Sequence, residues 1–257
     1  RQDLNVSIMC GDRVEIKGCQ DLEWIPKIIR CEMARQLHFF RLANQLRSMH
    51  SLPLLSDDRR VESSDVSQQV AEILPLSIHD VSKVFASCES KMVQRGLGNG
   101  SLMLALPLPG FSGLIGEKTL DENGAQMPRL GRELAGAAKL AGVAGIFHSD
   151  ELPAYGIDSE FVDGVRSELS GVDAFVLCLA PKWQAELALE SVLERAHKAF
   201  DRIPQEVRNV VVKKGAPEDG TTAPMRPLPG GARMYPETDI PPLTLTSEHW
   251  QRITENL

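Results

Sequence analysis

At 257 residues, 42% hydrophobic and 25% charged, the chain can bury a sizeable core and reads as one or two globular domains rather than a disordered or low-complexity protein. No uninterrupted apolar run is long enough to span a bilayer, which predicts a cytoplasmic protein with no membrane partner. The net charge of −7 is uneven: residues 1–50 hold eight basic and six acidic groups, so the remainder carries −9 and is a poor general phosphate binder. Any contact with nucleic acid is therefore expected at local basic spots.

The first element is a β-hairpin. Leu4, Val6 and Ile8 alternate with Asp3, Asn5 and Ser7, and Val14 and Ile16 alternate with Arg13, Glu15 and Lys17, the period of two of half-buried strands. A three-residue turn at Cys10, Gly11 and Asp12 predicts Ser7 opposite Glu15 and Asn5 opposite Lys17, with every polar group on one face. Such a face of carboxylates, amide, hydroxyl and ammonium suits a metal ion, a phosphate chain or an amino acid, although paired charges on a solvated sheet have the same composition.

A long helix follows, starting near Asp21 to Pro26 and running to about Leu46, with Ile25, Ile29, Met33, Leu37 and Phe40 as its expected apolar stripe and proline in its first turn. Arg30, Arg41 and Arg47 are its candidate nucleic-acid contacts, against the alternative of a solvated face. The stretch SLPLLSDDRRVESSDVSQQ lacks periodicity and reads as a linker, 51–75.

Residues 76–200 read as an α+β sandwich with one helical layer. Val81, Val84, Phe85, Cys88 and Met92 form a helical stripe, Ser101 to Leu106 a buried strand, and Leu130 to Ala141 a helix ended by Gly142. A strand from Val143 to Phe147, a helix from Ser159 to Leu169, a strand from Ala174 to Leu179 and a helix from Lys182 to Phe200 complete it. The glycine-rich LPGFSGLIG lacks both the phosphate-loop lysine and the GxGxxG spacing, so Gly110 and Gly113 read as turn residues. His148, Asp150 and Glu151 match no standard metal spacing. The five cysteines, Cys10, Cys19, Cys31, Cys88 and Cys178, show no CxxC or Cys/His pattern, so reduced structural thiols are expected.

Near the end, PLPGGARMYPETDIPP contains five prolines and two glycines, which make a stiffened loop that displays Arg233, Tyr235, Glu237 and Asp239 in fixed directions.

RQDLNVSI, RVEIKGCQDL before a long helix, and GGARMYPETDIPP together resemble the E subunit of archaeal glutamyl-tRNA(Gln) amidotransferase and, more distantly, the bacterial B subunit. SLMLALPLPGFSGLIG, AKLAGVAGIFHSDELPAYGI and VDAFVLCLA resemble the insertion domain that this family shares with bacterial aspartyl-tRNA synthetases. The resemblance implies an α+β fold in which residues 1–50 and 201–257 form part of a catalytic cradle and 76–200 the insertion. It also implies ATP and Mg²⁺ as cofactors, glutamate-charged tRNA(Gln) as substrate and an asparaginase-like D subunit as ammonia donor.

Carried across by motif, Asp3 and Glu15 would be metal ligands, and Glu15, Lys17, Arg233 and Glu237 catalytic groups. Asn5, Ser7 and Tyr235 would touch substrate. The chain opens without methionine and lacks the family's N-terminal His and Glu residues and its helical tail, so an internal piece, inactive alone, is expected. A non-catalytic tRNA or subunit docking module is the alternative, and an aspartyl-tRNA synthetase fragment the least favoured.

Overall fold

The computed structural model describes residues 2–117, 128–212, 220–228 and 246–255. Alternation places Val6, Val14 and Ile16 inward, and two strands form around them, β1 (Gln2–Val6) and β2 (Val14–Cys19). They pair antiparallel, but Asn5 lies opposite Glu15 and Val6 opposite Val14, two residues away from the register expected for a three-residue turn. The strands stop at Val6 and restart at Val14, so residues 7–13 form the connection and Ser7 has no partner across the ladder. A slip of two preserves the period, so Asn5, Glu15 and their neighbours still share one face.

After a 3-10 turn at Leu22–Trp24, whose start is capped by the Asp21 carboxylate accepting from Glu23 N at 3.0 Å, helix α1 runs Ile25–Met49. Its buried side is not the apolar stripe expected from sequence. Met33 and Leu37 are 45% and 36% exposed, whereas Ile28, Phe39, Leu42 and Leu46 are buried together with Glu32, Arg35, Gln36 and Arg47. The inward face is offset because it carries ion pairs as well as hydrocarbon.

Residues 51–66 are irregular but anchored. The Asn44 side chain accepts from Leu55 N (2.7 Å) and donates to Leu55 O (3.1 Å), Arg47 Nη1 donates to Pro53 O (2.8 Å), and Arg202 Nη2 donates to Ser56 O (2.5 Å). Arg47 also reaches Phe200 O and Asp201 Oδ1 and is fully buried, so it is removed from the candidate nucleic-acid contacts.

Beyond a short helix α2 (Ser67–Ile73) comes a second sheet, with β3 (His79–Asp80), β4 (Leu102–Pro107), β5 (Phe147–His148) and β6 (Phe175–Ala180) in the order β3-β4-β6-β5, all antiparallel. The continuous apolar runs LMLALP and FVLCLA mark strands buried on both faces. Leu104, Leu106, Val176 and Cys178 face helices α4 (Leu130–Lys139) and α6 (Lys182–His197). Met103, Ala105, Phe175 and Leu177 join a separate core with Phe85, Val93, Val162 and Val165. This second core draws on a 3-10 turn at Ser82–Phe85 and helices α3 (Lys91–Gly98) and α5 (Ser159–Glu168).

The second sheet thus has helices on both sides, not one helical layer. The continuous helix expected over 81–92 is a 3-10 turn followed by α3, with Met92 exposed, and the strand expected from Val143 is reduced to Phe147–His148.

Strands β7 (Glu206–Val210) and β8 (Thr222–Pro227) complete the first sheet in the order β1-β2-β7-β8. β7 runs parallel to β2 and antiparallel to β8. Helix α6 packs on the second sheet and on α4, and α4 reaches β8, so one apolar core continues from Val14 and Ile16 to Leu104 and Val176. Arg1–Pro227 accordingly forms one compact unit. The second unit, Leu228–Leu257, contains helix α7 (Ser247–Glu255). Among the described residues no helix is long and apolar enough to cross a membrane.

Candidate functional site

The polar face of the first sheet brings four of the sequence candidates together. Asn5, Glu15, Val207 and Arg226 stand in one rung across all four strands, and Lys17 pairs with Asn209 two residues further along. Lys17 Nζ donates to Asp3 Oδ2 at 2.6 Å and forms a second ion pair with Glu15. Its pKa is raised by the hydrogen bonds to Asp3 first and Glu15 second. One ammonium therefore sits between two carboxylates that are partly open to solvent, leaving the trio with one net negative charge.

Carboxylate oxygens at this exposure are suitable donors for Mg²⁺, which keeps several waters and takes one or two protein carboxylates. Among the described residues no three His, Cys, Asp or Glu side chains are grouped to hold a metal, so Asp3 and Glu15 would need donors from elsewhere. Arg233, Tyr235 and Glu237 lie outside the described residues.

Behind that face lies a buried charged layer. Arg35 Nε and Nη2 clamp Glu32 at 2.8 and 3.1 Å, while Nη1 approaches Glu133 at 3.4 Å and Nη2 approaches Glu206 at 3.2 Å. Arg208 donates to Glu206 at 2.6 Å and to Glu133 at 2.9 Å, and Arg195 donates to Glu133 at 3.3 Å. Three arginines and three glutamates are thus paired out of water, which sets the layer's formal charge to zero.

Burial disfavours the Glu133 carboxylate, but Arg208, Arg35 and Arg195 outweigh it and hold its pKa far below the ordinary range. Burial likewise opposes the charge on Arg35, and Glu32, Glu133 and Glu206 overcome it, raising its pKa.

This layer fixes the strands that carry the polar face. Arg208 also donates to Thr222 Oγ1 (2.7 Å) and Thr222 O (2.9 Å), joining β7 to β8. Gln36 donates to Val6 O (3.2 Å) and accepts from Ile8 N (3.1 Å), holding the end of β1 against α1. Gly11 is required beside it, because a Cβ there would fall 2.0 Å from Gln36 Oε1. Two cavities of about 300 and 430 Å³ border the layer, both reaching Glu133. The only hints in the sequence were Glu206 and Arg208 flanking Val207 on a strand, and Glu32 with Arg35 one helical turn apart.

The remaining sequence candidates are accounted for by local structure. The amides of the glycine-rich segment are already taken: Asp173 accepts from Gly110 N (2.9 Å) and Ser112 N (3.3 Å), and Asp150 from Gly113 N (3.0 Å) and Gly116 N (2.9 Å). With φ of +84° and +77°, Gly110 and Gly113 are turn glycines, as their sequence context indicates. Asp150 therefore anchors a loop, and the Glu151 carboxylate accepts from His148 N (3.2 Å) and from the Tyr155 hydroxyl (3.2 Å). All five cysteines are free thiols.

Fold and site together define an α+β protein whose mixed four-stranded sheet presents a carboxylate–lysine constellation braced from behind by buried ion pairs. The chain belongs to the GatB/GatE catalytic domain family, whose family model matches residues 1–251. It is 44% identical over 259 residues to the E subunit of glutamyl-tRNA(Gln) amidotransferase from Pyrococcus furiosus, and 38% identical over 262 residues to the protein of the same name from Methanocaldococcus jannaschii. Each alignment covers 100% of this chain and 36% of the relative. The E subunit from Methanosarcina acetivorans is 40% identical over 255 residues, 98% of this chain and 35% of the relative. The chain thus spans about a third of the length of these relatives.

Proposed function

We propose that this chain supplies one wall of the site at which a tRNA-dependent amidotransferase converts Glu-tRNA(Gln) to Gln-tRNA(Gln), by ATP-dependent phosphorylation of the γ-carboxylate followed by ammonia transfer. The observation that carries this reading is the Asp3–Lys17–Glu15 constellation on the hairpin face, within a chain that aligns along its whole length with proteins named as the E subunit of that amidotransferase.

ATP with Mg²⁺, when bound, supplies the phosphoryl group and neutralises its oxygens. Asp3 and Glu15 are the residues to hold the metal. Lys17, held between them, is placed to exchange a carboxylate for a phosphate or substrate carboxylate as a point charge on a flexible stem. Asn5, two positions beyond Asp3 on β1 and opposite Glu15, can orient a polar substrate group through its amide. Ser7, Arg233, Tyr235 and Glu237 are proposed as further contributors. Ammonia would come from an asparaginase-like D subunit in the cytoplasm.

Single-turnover ATP cleavage dependent on Glu-tRNA(Gln), measured on the full-length protein with Glu15→Gln, tests the assignment. Loss of one metal or electrostatic contact is expected to cost about 10²- to 10³-fold in rate. An unchanged rate would instead favour a docking role for the hairpin face.

A further inference from the structure

A groove of about 710 Å³ lies between α3 and the chain leading into β5, on the opposite side of the second sheet from α4 and α6. Lys91, Arg95 and Asn99 line one wall, Phe147 and Tyr155 the other, and Leu179 is also in contact with it. None of the described residues lining it is acidic, although the chain as a whole carries −7. The side chains of Lys91 and Arg95 are exposed and form no ion pair among the described residues.

The aromatic wall is held in position. Tyr155 is 57% exposed, yet its backbone has φ of +61°, a left-handed conformation that a bulky non-glycine residue rarely adopts. Such conformations persist where the surroundings enforce them, and they concentrate at functional sites. Here the enforcement is visible: the hydroxyl donates to Glu151 Oε2 at 3.2 Å, and the ring rests on Phe147 at a centroid distance of 5.5 Å. An exposed aromatic clamped at both ends offers a flat face at little entropic cost.

We propose that this groove binds single-stranded RNA, with the Tyr155 ring stacking on an unpaired base and Lys91 and Arg95 taking the flanking phosphates. An aromatic platform beside a cationic track is the physical recipe for unpaired nucleic acid, because every base has a π-face and every linkage a negative charge. Asn99 adds an amide that can pair with a base edge or a 2′-hydroxyl. The choice of RNA rests on the tRNA-dependent reaction proposed above.

The test is fluorescence anisotropy of a labelled octaribonucleotide titrated with the full chain, against the same sequence as a duplex. The single strand should bind more tightly, with a log–log salt slope of about −1.4 for two phosphate contacts. Tyr155→Gly removes the ring and suits the left-handed backbone, so it should weaken binding about 5- to 150-fold without unfolding the chain. Lys91→Gln with Arg95→Gln should flatten the salt slope toward zero. Equal binding of duplex and single strand, or unchanged affinity in Tyr155→Gly together with an unchanged slope in the double variant, would overturn the proposal. Glu15→Gln, outside the groove, should bind the oligonucleotide as wild type does, so failure of the amidation reading and failure of this one are separable.

Discussion

Replacing Glu133 by glutamine removes one negative charge from a layer in which three arginines balance three glutamates, and hardly changes shape. Arg35 keeps Glu32 and Glu206, and Arg208 keeps Glu206 and Thr222, but among the described residues Arg195 loses the carboxylate it donates to and retains the Phe39 ring, 5.5 Å away. Breaking one side of a buried ion pair costs about 3–5 kcal/mol, because a charge is stranded out of water. Against a total stability of about 5–15 kcal/mol, that is a large share. It corresponds to a fall in Tm of about 6–20 °C for a chain of this size.

Urea denaturation followed by circular dichroism measures it directly, and a loss below about 1 kcal/mol would refute the view that the layer is tightly coordinated and dry. The pH dependence provides a second arm. Because the folded-state pKa of Glu133 lies below its ordinary value of 4.5, its contribution is present above that pH and is lost as pH falls below it and the unfolded chain binds the proton. The urea midpoint of the wild type should therefore drop more steeply below about pH 4.5 than that of Glu133→Gln. Adding Arg195→Met to Glu133→Gln should recover part of the loss, since the stranded charge is then gone.

Asp150→Ala leaves the amides of Gly113 and Gly116 without their carboxylate and should lower stability by about 1.5–3 kcal/mol, read as a shift in the thermal melt; an unchanged melt would show that the loop is held by other contacts. Gly110→Ala forces a side chain into a backbone with φ of +84° and sets its Cβ 2.8 Å from His50 Nε2, so it should destabilise by more than about 1 kcal/mol, whereas Gly113→Ala, with open space around it, should lose only the backbone strain. Burial raises the Cys178 thiol to about 11, so at about pH 8 it should resist iodoacetamide until the chain is unfolded; fast labelling of the native protein, located by mass spectrometry, would contradict that burial.

Several elements follow from sequence pattern alone. Helices α4, α5 and α6 and strands β4 and β6 begin and end within a few residues of where periodicity, proline and glycine put them, because each is decided by which side chains recur within one turn or one pleat. The polar face of the hairpin is nearly as local: alternation assigns Asp3, Asn5, Glu15 and Lys17 to one side for any even shift in register, and the two-residue shift observed left that assignment intact. The family, too, was readable from motifs at both ends of the chain.

The inward face of α1 was decided only by tertiary structure. Hydrophobicity nominated Met33 and Leu37, and the fold exposes both, because Glu32 and Arg35 find their partners in Glu133 and Glu206, 98 and 171 positions beyond Arg35. A charge reads as surface until all its counter-charges are known, and no local window contains Arg35 together with Glu133 and Glu206. The same reason explains Arg47, a surface cation by sequence, which is buried because the Phe200 carbonyl and the Asp201 carboxylate, more than 150 positions away, converge on it together with the nearby Pro53 carbonyl. Local spacing determined which residues share a face; the meeting of remote segments determined which faces leave water.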